Sequence, residues 1–352
     1  MRQRPGIRRR TGPVVALCAA VLAAAGALSA CSGSGPASPP SATNAGRSTA
    51  SSPAAATAAT PPGIVAVTAR GALVTVDPAS GTVLRTLVPT GAAGGEVSVS
   101  ATGMVYFAAR HGCTSSIEAV PMGGGTAAVI ATGSLPAISP DGTKLAYAVQ
   151  PSLTQSCMPS NPALTPLYHL DIRTLSTGQT VTLPMVPAGQ DAALPAPISH
   201  LSWAADNDHL AVSTSAVQDN EGWDLVIIDT SQARYYLTGP GTSDVPVTGE
   251  PTARDSYLRE GVFMPDGNLF VSRACCAGVP VRNTSRLMWE VTTAGAFVHQ
   301  VAIGFPNLDH TSLDVSPTGE WLLYLAGTDL YVSPGGATPH EVTSGLVAAA
   351  WG

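Results

Sequence analysis

A tight turn of the Ser-Pro-Asp-Gly type recurs along this chain, and each copy joins two short apolar runs. Its clearest form is Ser139-Pro140-Asp141-Gly142-Thr143-Lys144, followed by Leu145 to Val149. Variants are Met264-Pro265-Asp266-Gly267 before Asn268 to Val271, and Ser316-Pro317-Thr318-Gly319 before Trp321 to Leu325. Looser copies are Ser100-Ala101-Thr102-Gly103 before Val105 to Ala108, and Trp203-Ala204-Ala205-Asp206-Asn207 before Leu210 to Ser213. Proline presets one turn position and glycine supplies positive φ at another, so each unit reads as a β-hairpin. From Gly63 onward helical periodicity is almost absent, and short strands with regular turn punctuation call for an all-β fold.

A second pair of strands follows each hairpin, as in Tyr168 to Ile172 then Val181 to Leu183, Leu225 to Asp229 then Arg234 to Leu237, and Leu330 to Ser333 then His340 to Thr343. Four strands per repeat, arranged radially, make a β-propeller of four-stranded antiparallel blades. Five full blades fall at about 97–133, 135–185, 198–239, 259–304 and 308–344. Residues 64–88 supply three further strands, and Leu346 to Trp351 supplies one. Ala350-Trp351-Gly352 matches Ser202-Trp203-Ala204, the end of an innermost strand. The two fragments therefore complete a sixth blade, with the C-terminal strand innermost in the first blade. Closing the ring this way removes open sheet edges. Six blades over 63–352 give ~48 residues each, within the range for blade repeats. A seventh blade stays open if 240–257 contains strands.

The repeats resemble those of TolB-like (WD40-like) propellers, in which a Ser-Pro-Asp-Gly turn joins the first two strands of a blade. The resemblance covers most of 63–352 and implies a fold; it does not imply one function.

The N-terminus carries a different message. Arg2, Arg4, Arg8, Arg9 and Arg10 precede an apolar run, Val14 to Ala27, and then small residues. This is the layout of a secretory signal peptide, and the run is too short to span a bilayer comfortably. Leu28-Ser29-Ala30-Cys31 resembles a bacterial lipobox, which implies processing after Ala30 and acylation of Cys31. An ordinary cleaved signal or an N-terminal anchor are the alternatives. The expected organisation is a signal peptide over 1–30, a lipidated Cys31 with a tether over 31–62, and the propeller over 63–352. The tether is almost entirely Ser, Ala, Pro, Thr and Gly, too poor in apolar residues to fold. Two acyl chains suffice for stable anchoring. The expected location is the extracytoplasmic face of the cell membrane.

Losing the five leader arginines leaves 12 of the 17 Lys+Arg against 23 Asp+Glu, a net charge of −11. So acidic a body argues against nucleic acid as a partner. A monomer is expected, with lipid as its membrane contact.

Four cysteines fall in the propeller. Cys113, Cys157 and the pair Cys275 and Cys276 lie in second-to-third-strand loops of blades two, three and five. An exported protein is expected to form disulfides, and four cysteines allow three pairings. Blade five lies across the ring from blade two, too far for a disulfide, so Cys113–Cys157 is favoured. Cys275 and Cys276 could form a vicinal ring, stiffen the loop, or stay as thiols. Counting back from the turns gives Glu96, His200, Glu260 and Ser312 at equivalent positions near the start of innermost strands. Such a set could ring the channel mouth and hold a polar ligand or a divalent cation. Asp309, His310 and Asp314 form a second polar cluster, read as loop capping.

No Gly-x-Ser-x-Gly elbow, paired-histidine zinc spacing or phosphate-cradling glycine loop occurs. The chain thus reads as a non-catalytic binding or interaction module for an envelope protein, wall component or small ligand. It would act through the face bearing the long connections 151–165, 186–197, 240–257 and 275–284. The rival is a lactonase- or lyase-like enzyme with a metal on Glu96, His200 and Glu260. The sequence identifies no cofactor.

Overall fold

The computed structural model describes residues 62–149, 169–184, 198–215, 223–231, 242–244, 256–275, 288–302, 310–335 and 337–352. Met1–Ala56 forms a unit separate from Thr57–Gly352, and none of its residues is among those described. The signal peptide, Cys31 and nearly all of the tether therefore lie outside the described residues.

The described residues form 24 strands in six four-stranded antiparallel sheets, a six-bladed β-propeller. The first blade joins the two ends of the domain. Its order is β24 (Leu346–Trp351), β1 (Ile64–Thr68), β2 (Leu73–Val76), β3 (Val83–Val88). Ile64 pairs with Trp351 and Ala66 with Ala349, so the C-terminal strand is the innermost one, as the orphan strand predicts. Blade two runs β4 (Ala93–Val99), β5 (Met104–His111), β6 (Thr114–Pro121), β7 (Ala128–Thr132). Blade three runs β8 (Ser134–Ile138), β9 (Lys144–Val149), β10 (His169–Thr174), β11 (Thr180–Pro184). Blade four runs β12 (Ile198–Trp203), β13 (His209–Ser215), β14 (Trp223–Asp229), β15 (Thr242–Asp244). Blade five runs β16 (Ser256–Phe263), β17 (Leu269–Cys275), β18 (Met288–Val291), β19 (Phe297–Ala302). Blade six runs β20 (His310–Val315), β21 (Trp321–Ala326), β22 (Asp329–Pro334), β23 (His340–Thr343).

The outer strand of blade four differs from expectation. Thr242–Asp244 pairs with Val226 to Ile228, whereas Arg234 to Leu237 lies outside the described residues. The segment considered as a source of a seventh blade thus contributes its strand to blade four.

The turn chemistry explains why the hairpins form. In Ser139-Pro140-Asp141-Gly142 the Gly142 amide donates to the Ser139 carbonyl at 2.8 Å, closing a β-turn. The Ser139 hydroxyl oxygen accepts the Lys144 amide at 2.9 Å and donates to the Asp141 carboxylate at 2.6 Å. Ser100 and Ser316 accept the amides of Met104 and Trp321 in the same way, each at 3.0 Å. Serine thus satisfies an amide that the tight turn would otherwise orphan.

The hydrophobic core is divided into six wedges, one between each pair of adjacent blades. Between blades three and four, Leu170 and Ala146 meet Trp203, Leu210 and Val212. Between six and one, Leu323 and Leu325 meet Ile64, Val74 and Trp351. Middle strands are buried on both faces, which is why runs such as Leu322 to Ala326 are apolar without alternation.

Candidate functional site: the cavity at the hub

All six innermost strands break register with their neighbours at the same depth. The shifts fall at Ala93/Val97, Ser134/Ala137, Ile198/His200, Leu258/Glu260 and Thr311/Asp314, and beside β24 at Val67/Thr68. A bulge inserts a residue and re-aims the side chains around it. The last paired residues of these strands are Val99, Ile138, Trp203, Phe263, Val315 and Trp351. Three positions before them stand Glu96, Leu135, His200, Glu260, Ser312 and Ala348, in or beside each bulge. The expected equivalence of Glu96, His200, Glu260 and Ser312 is therefore a matter of strand register.

Their side chains do not all share one space. A cavity of about 600 Å³ fills the hub, and its lining includes Glu96, His200 and Asp314. Glu260 and Ser312 are outside that lining and buried, Glu260 to 4% exposure. The lining extends to the hairpin turns and ends at Ala101, Pro140, Ala205, Pro265, Pro317 and Gly352, one exposed residue per blade. The cavity thus opens on the face of the Ser-Pro-Asp-Gly turns, with a rim free of charge. The strand ends flanking the long connections lie at the opposite ends of the blades, and 150–168, 185–197, 245–255 and 276–287 themselves lie outside the described residues.

Burial governs the titration of the three ionisable groups. It raises the Glu96 carboxyl to about 7 and lowers the His200 imidazole to about 4. Neither side chain makes a hydrogen bond among the described residues, so nothing offsets desolvation. Asp314 rises to about 6 because burial outweighs the hydrogen bonds it accepts from the amides of Trp351 and Val315, at 2.7 and 2.8 Å. At neutral pH the cavity therefore holds a half-ionised glutamate, a neutral histidine and a mostly ionised aspartate, with no lysine or arginine in the lining.

Among the described residues no three His, Cys, Asp or Glu side chains come close enough to hold a metal ion. The set Glu96, His200 and Glu260 is thus split between the cavity and the blade interior. Cys113 lies at the β5–β6 turn and Cys275 ends β17, while Cys157 and Cys276 lie outside the described residues. Asp309 also lies outside them, and His310 begins β20. Asp314 is the cavity residue that sequence reasoning placed elsewhere. Its signal was the shared alignment column with Ser98 and Ser202, both also in the lining.

No protein-family model and no curated protein matches the chain. Among solved structures, TolB from Acinetobacter baumannii aligns over 82% of this chain and 65% of its own, at 13% identity and a TM-score of 0.57. A protein of unknown function from Bacteroides caccae aligns over 82% of this chain and 98% of its own, at 9% identity and a TM-score of 0.51. The chain thus spans about two thirds of the TolB structure it matches. Identities this low speak for the fold alone. The molecule is a six-bladed β-propeller similar in fold to TolB, closed by its own C-terminal strand and hollow at the hub.

Proposed function

We propose that this protein is an extracytoplasmic lipoprotein, tethered through acylated Cys31, whose propeller is a non-catalytic binding module. The observation that carries the reading is the hub cavity. It is large enough for a small ligand, roughly 300–1,000 Å³ being usual, and it is mostly apolar-walled with a few convergent polar groups. The acidic body favours a partner that is neither nucleic acid nor an anionic surface. The Cys113–Cys157 disulfide and binding by the loop-bearing face, to an envelope protein or wall component, belong to the same reading.

Fractionation and mass spectrometry test the anchor. The native protein should sediment with membranes carrying a diacylated Cys31, and Cys31→Ala should leave unprocessed or released chain. An unmodified N-terminus beyond residue 31 in the native protein would refute the anchor. Capture of envelope extracts on the full chain tests the module, and a partner or ligand retained by wild type in stoichiometric amount is the expected result.

A further inference from the structure

We propose that the hub cavity binds a small organic cation, an amine or guanidine with an apolar body, admitted from the hairpin-turn face and held by Glu96 with Asp314 and His200 as further polar contacts. This deepens the binding-module reading and rests on it.

The argument begins with charge. The titratable groups lining the cavity are Glu96 on β4, His200 on β12 and Asp314 on β20, spread over blades two, four and six. Strands β8, β16 and β24 contribute none. Arg110, beside β4, is exposed and donates to the Gly94 carbonyl at 2.9 Å, so it does not serve as a counter-ion inside the hub. The site therefore contains two acids and no compensating cation. An anionic ligand would meet two acids and no cation here.

The second observation is the state of Glu96 and His200. Both line the cavity, are only partly exposed, and are without hydrogen-bond partners among the described residues. A polar group partly withdrawn from water and left without a protein partner is one that a ligand can pair. An ammonium or guanidinium donates to a carboxylate and to a neutral imidazole alike. His200, held neutral by its burial, can accept such a bond without repelling the charge. Glu96, raised by the same burial, would release its proton as the cation enters.

The third observation is shape. About 600 Å³ far exceeds a bare metal ion, and the absence of any three-ligand cluster among the described residues argues the same way. Phe263, Met264, Val315 and Pro317 offer the apolar wall that an organic body would use. The uncharged rim of Ala, Pro and Gly presents no barrier to a cation with an apolar tail.

The test uses the full chain and a panel of primary amines and guanidines, with phenethylamine as the reference. 2-Phenylethanol and phenylacetate are its neutral and anionic counterparts. Calorimetry at pH 8 should show the amine binding at least tenfold tighter than the alcohol, with no binding of phenylacetate. Near pH 7, titration in buffers of different ionisation enthalpy should show net proton release. At pH 5 the amine should weaken at least tenfold as Glu96 keeps its proton. Glu96→Gln, nearly isosteric, should lose the amine preference while melting as a folded protein, and Glu320→Gln on the exposed turn should bind as wild type. Equal affinity for alcohol and amine, an undiminished Glu96→Gln, or no binding by any cation of the panel overturns the inference. If no cation binds but envelope capture persists, the inference falls and the binding-module reading stands. If neither occurs, both fall.

Discussion

The Asp314 carboxylate accepts the backbone amide of Trp351 at 2.7 Å, fastening blade six to the strand that closes the ring. The same contact recurs two blades apart. Ser98 accepts the Ile138 amide and Ser202 accepts the Phe263 amide, each at 3.1 Å. These three residues share one alignment column, and Ala137, Val262 and Ala350 fill it in the other blades. At every second inter-blade seam, residues of this column therefore clasp the amide of the next innermost strand, and the clasp at the closure alone uses a carboxylate. Charge-assisted hydrogen bonds are roughly twice as strong as neutral ones, so the strongest clasp sits where the chain ends.

Asp314→Ala should destabilise the propeller by ~1–3 kcal/mol, the range for orphaning a buried amide. Asp314→Asn keeps the acceptor oxygen and discards a charge that burial disfavours, so it should be near neutral. Deleting residues 346–352 should cost more, because it removes β24 and the buried Trp351, and large aromatic losses alone cost ~3–5 kcal/mol. Urea titrations of the three variants check the ranking. An Asp314→Ala protein as stable as wild type would show that the clasp contributes nothing to closure.

Trp203 and Trp351 occupy equivalent positions but differ at the indole nitrogen. Trp203 Nε1 donates to the Ala137 carbonyl at 3.0 Å, whereas Trp351 Nε1 is buried without a partner among the described residues. Replacement by phenylalanine should therefore separate them. Trp203→Phe loses a hydrogen bond worth ~0.5–1.5 kcal/mol beyond its packing loss, while Trp351→Phe removes an unsatisfied donor. Thermal melts of the two variants should show the larger fall for Trp203→Phe, and equal falls would contradict the hydrogen-bond assignment.

The architecture was legible because the hairpin motif is local. Ser139, Pro140 and Gly142 each act within a few residues, so their meaning survives without knowledge of the fold. The orphan strand at Leu346 to Trp351 was legible for a similar reason, since a four-stranded count leaves it one possible home. Blade four's outer strand was not, because edge pairing at Thr242–Asp244 depends on where a long connection returns. The site was legible only in part. Alignment from the turns located Glu96 and His200, but a bulge decides which way each neighbouring side chain points. It leaves Glu260 outside the cavity lining while Asp314 enters it, and no one-dimensional pattern records that choice.

Two glycines in left-handed conformation should respond differently to alanine. At Gly142, φ is 72° and a Cβ would meet open space, so only backbone strain of ~1–2 kcal/mol applies. At Gly81, φ is 69° and a Cβ would strike the Val342 carbonyl of blade six. Gly81→Ala should thus push apart blades one and six as well as straining the turn. Its loss of stability should exceed that of Gly142→Ala by at least ~1 kcal/mol, as overpacking against backbone typically costs. Parallel denaturant curves for the two variants decide it, and equal losses would mean the blade contact yields freely.

Glu96 and His200 should give the propeller opposing pH dependences. The Glu96 carboxyl titrates near 7 in the fold against 4.5 when free, so its ionisation is disfavoured by folding. Stability from this group is therefore intact below pH ~4.5 and is lost as pH rises towards 7. His200 is displaced the other way, to about 4 from 6.5, so its contribution is intact above pH ~6.5 and lost as pH falls towards 4. Asp314, near 6, adds to the glutamate limb. Glu96→Gln should accordingly stabilise the protein at pH 8 by ~1–3 kcal/mol, since each pKa unit is worth ~1.4 kcal/mol and the side chain's partial exposure screens part of it. At pH 4.5 it should change little. His200→Gln should show its gain at pH 4.5 and none at pH 8. Stability curves measured from pH 4.5 to 8.5 test both at once, and a Glu96→Gln profile parallel to wild type would mean that the carboxyl is solvated in the hub.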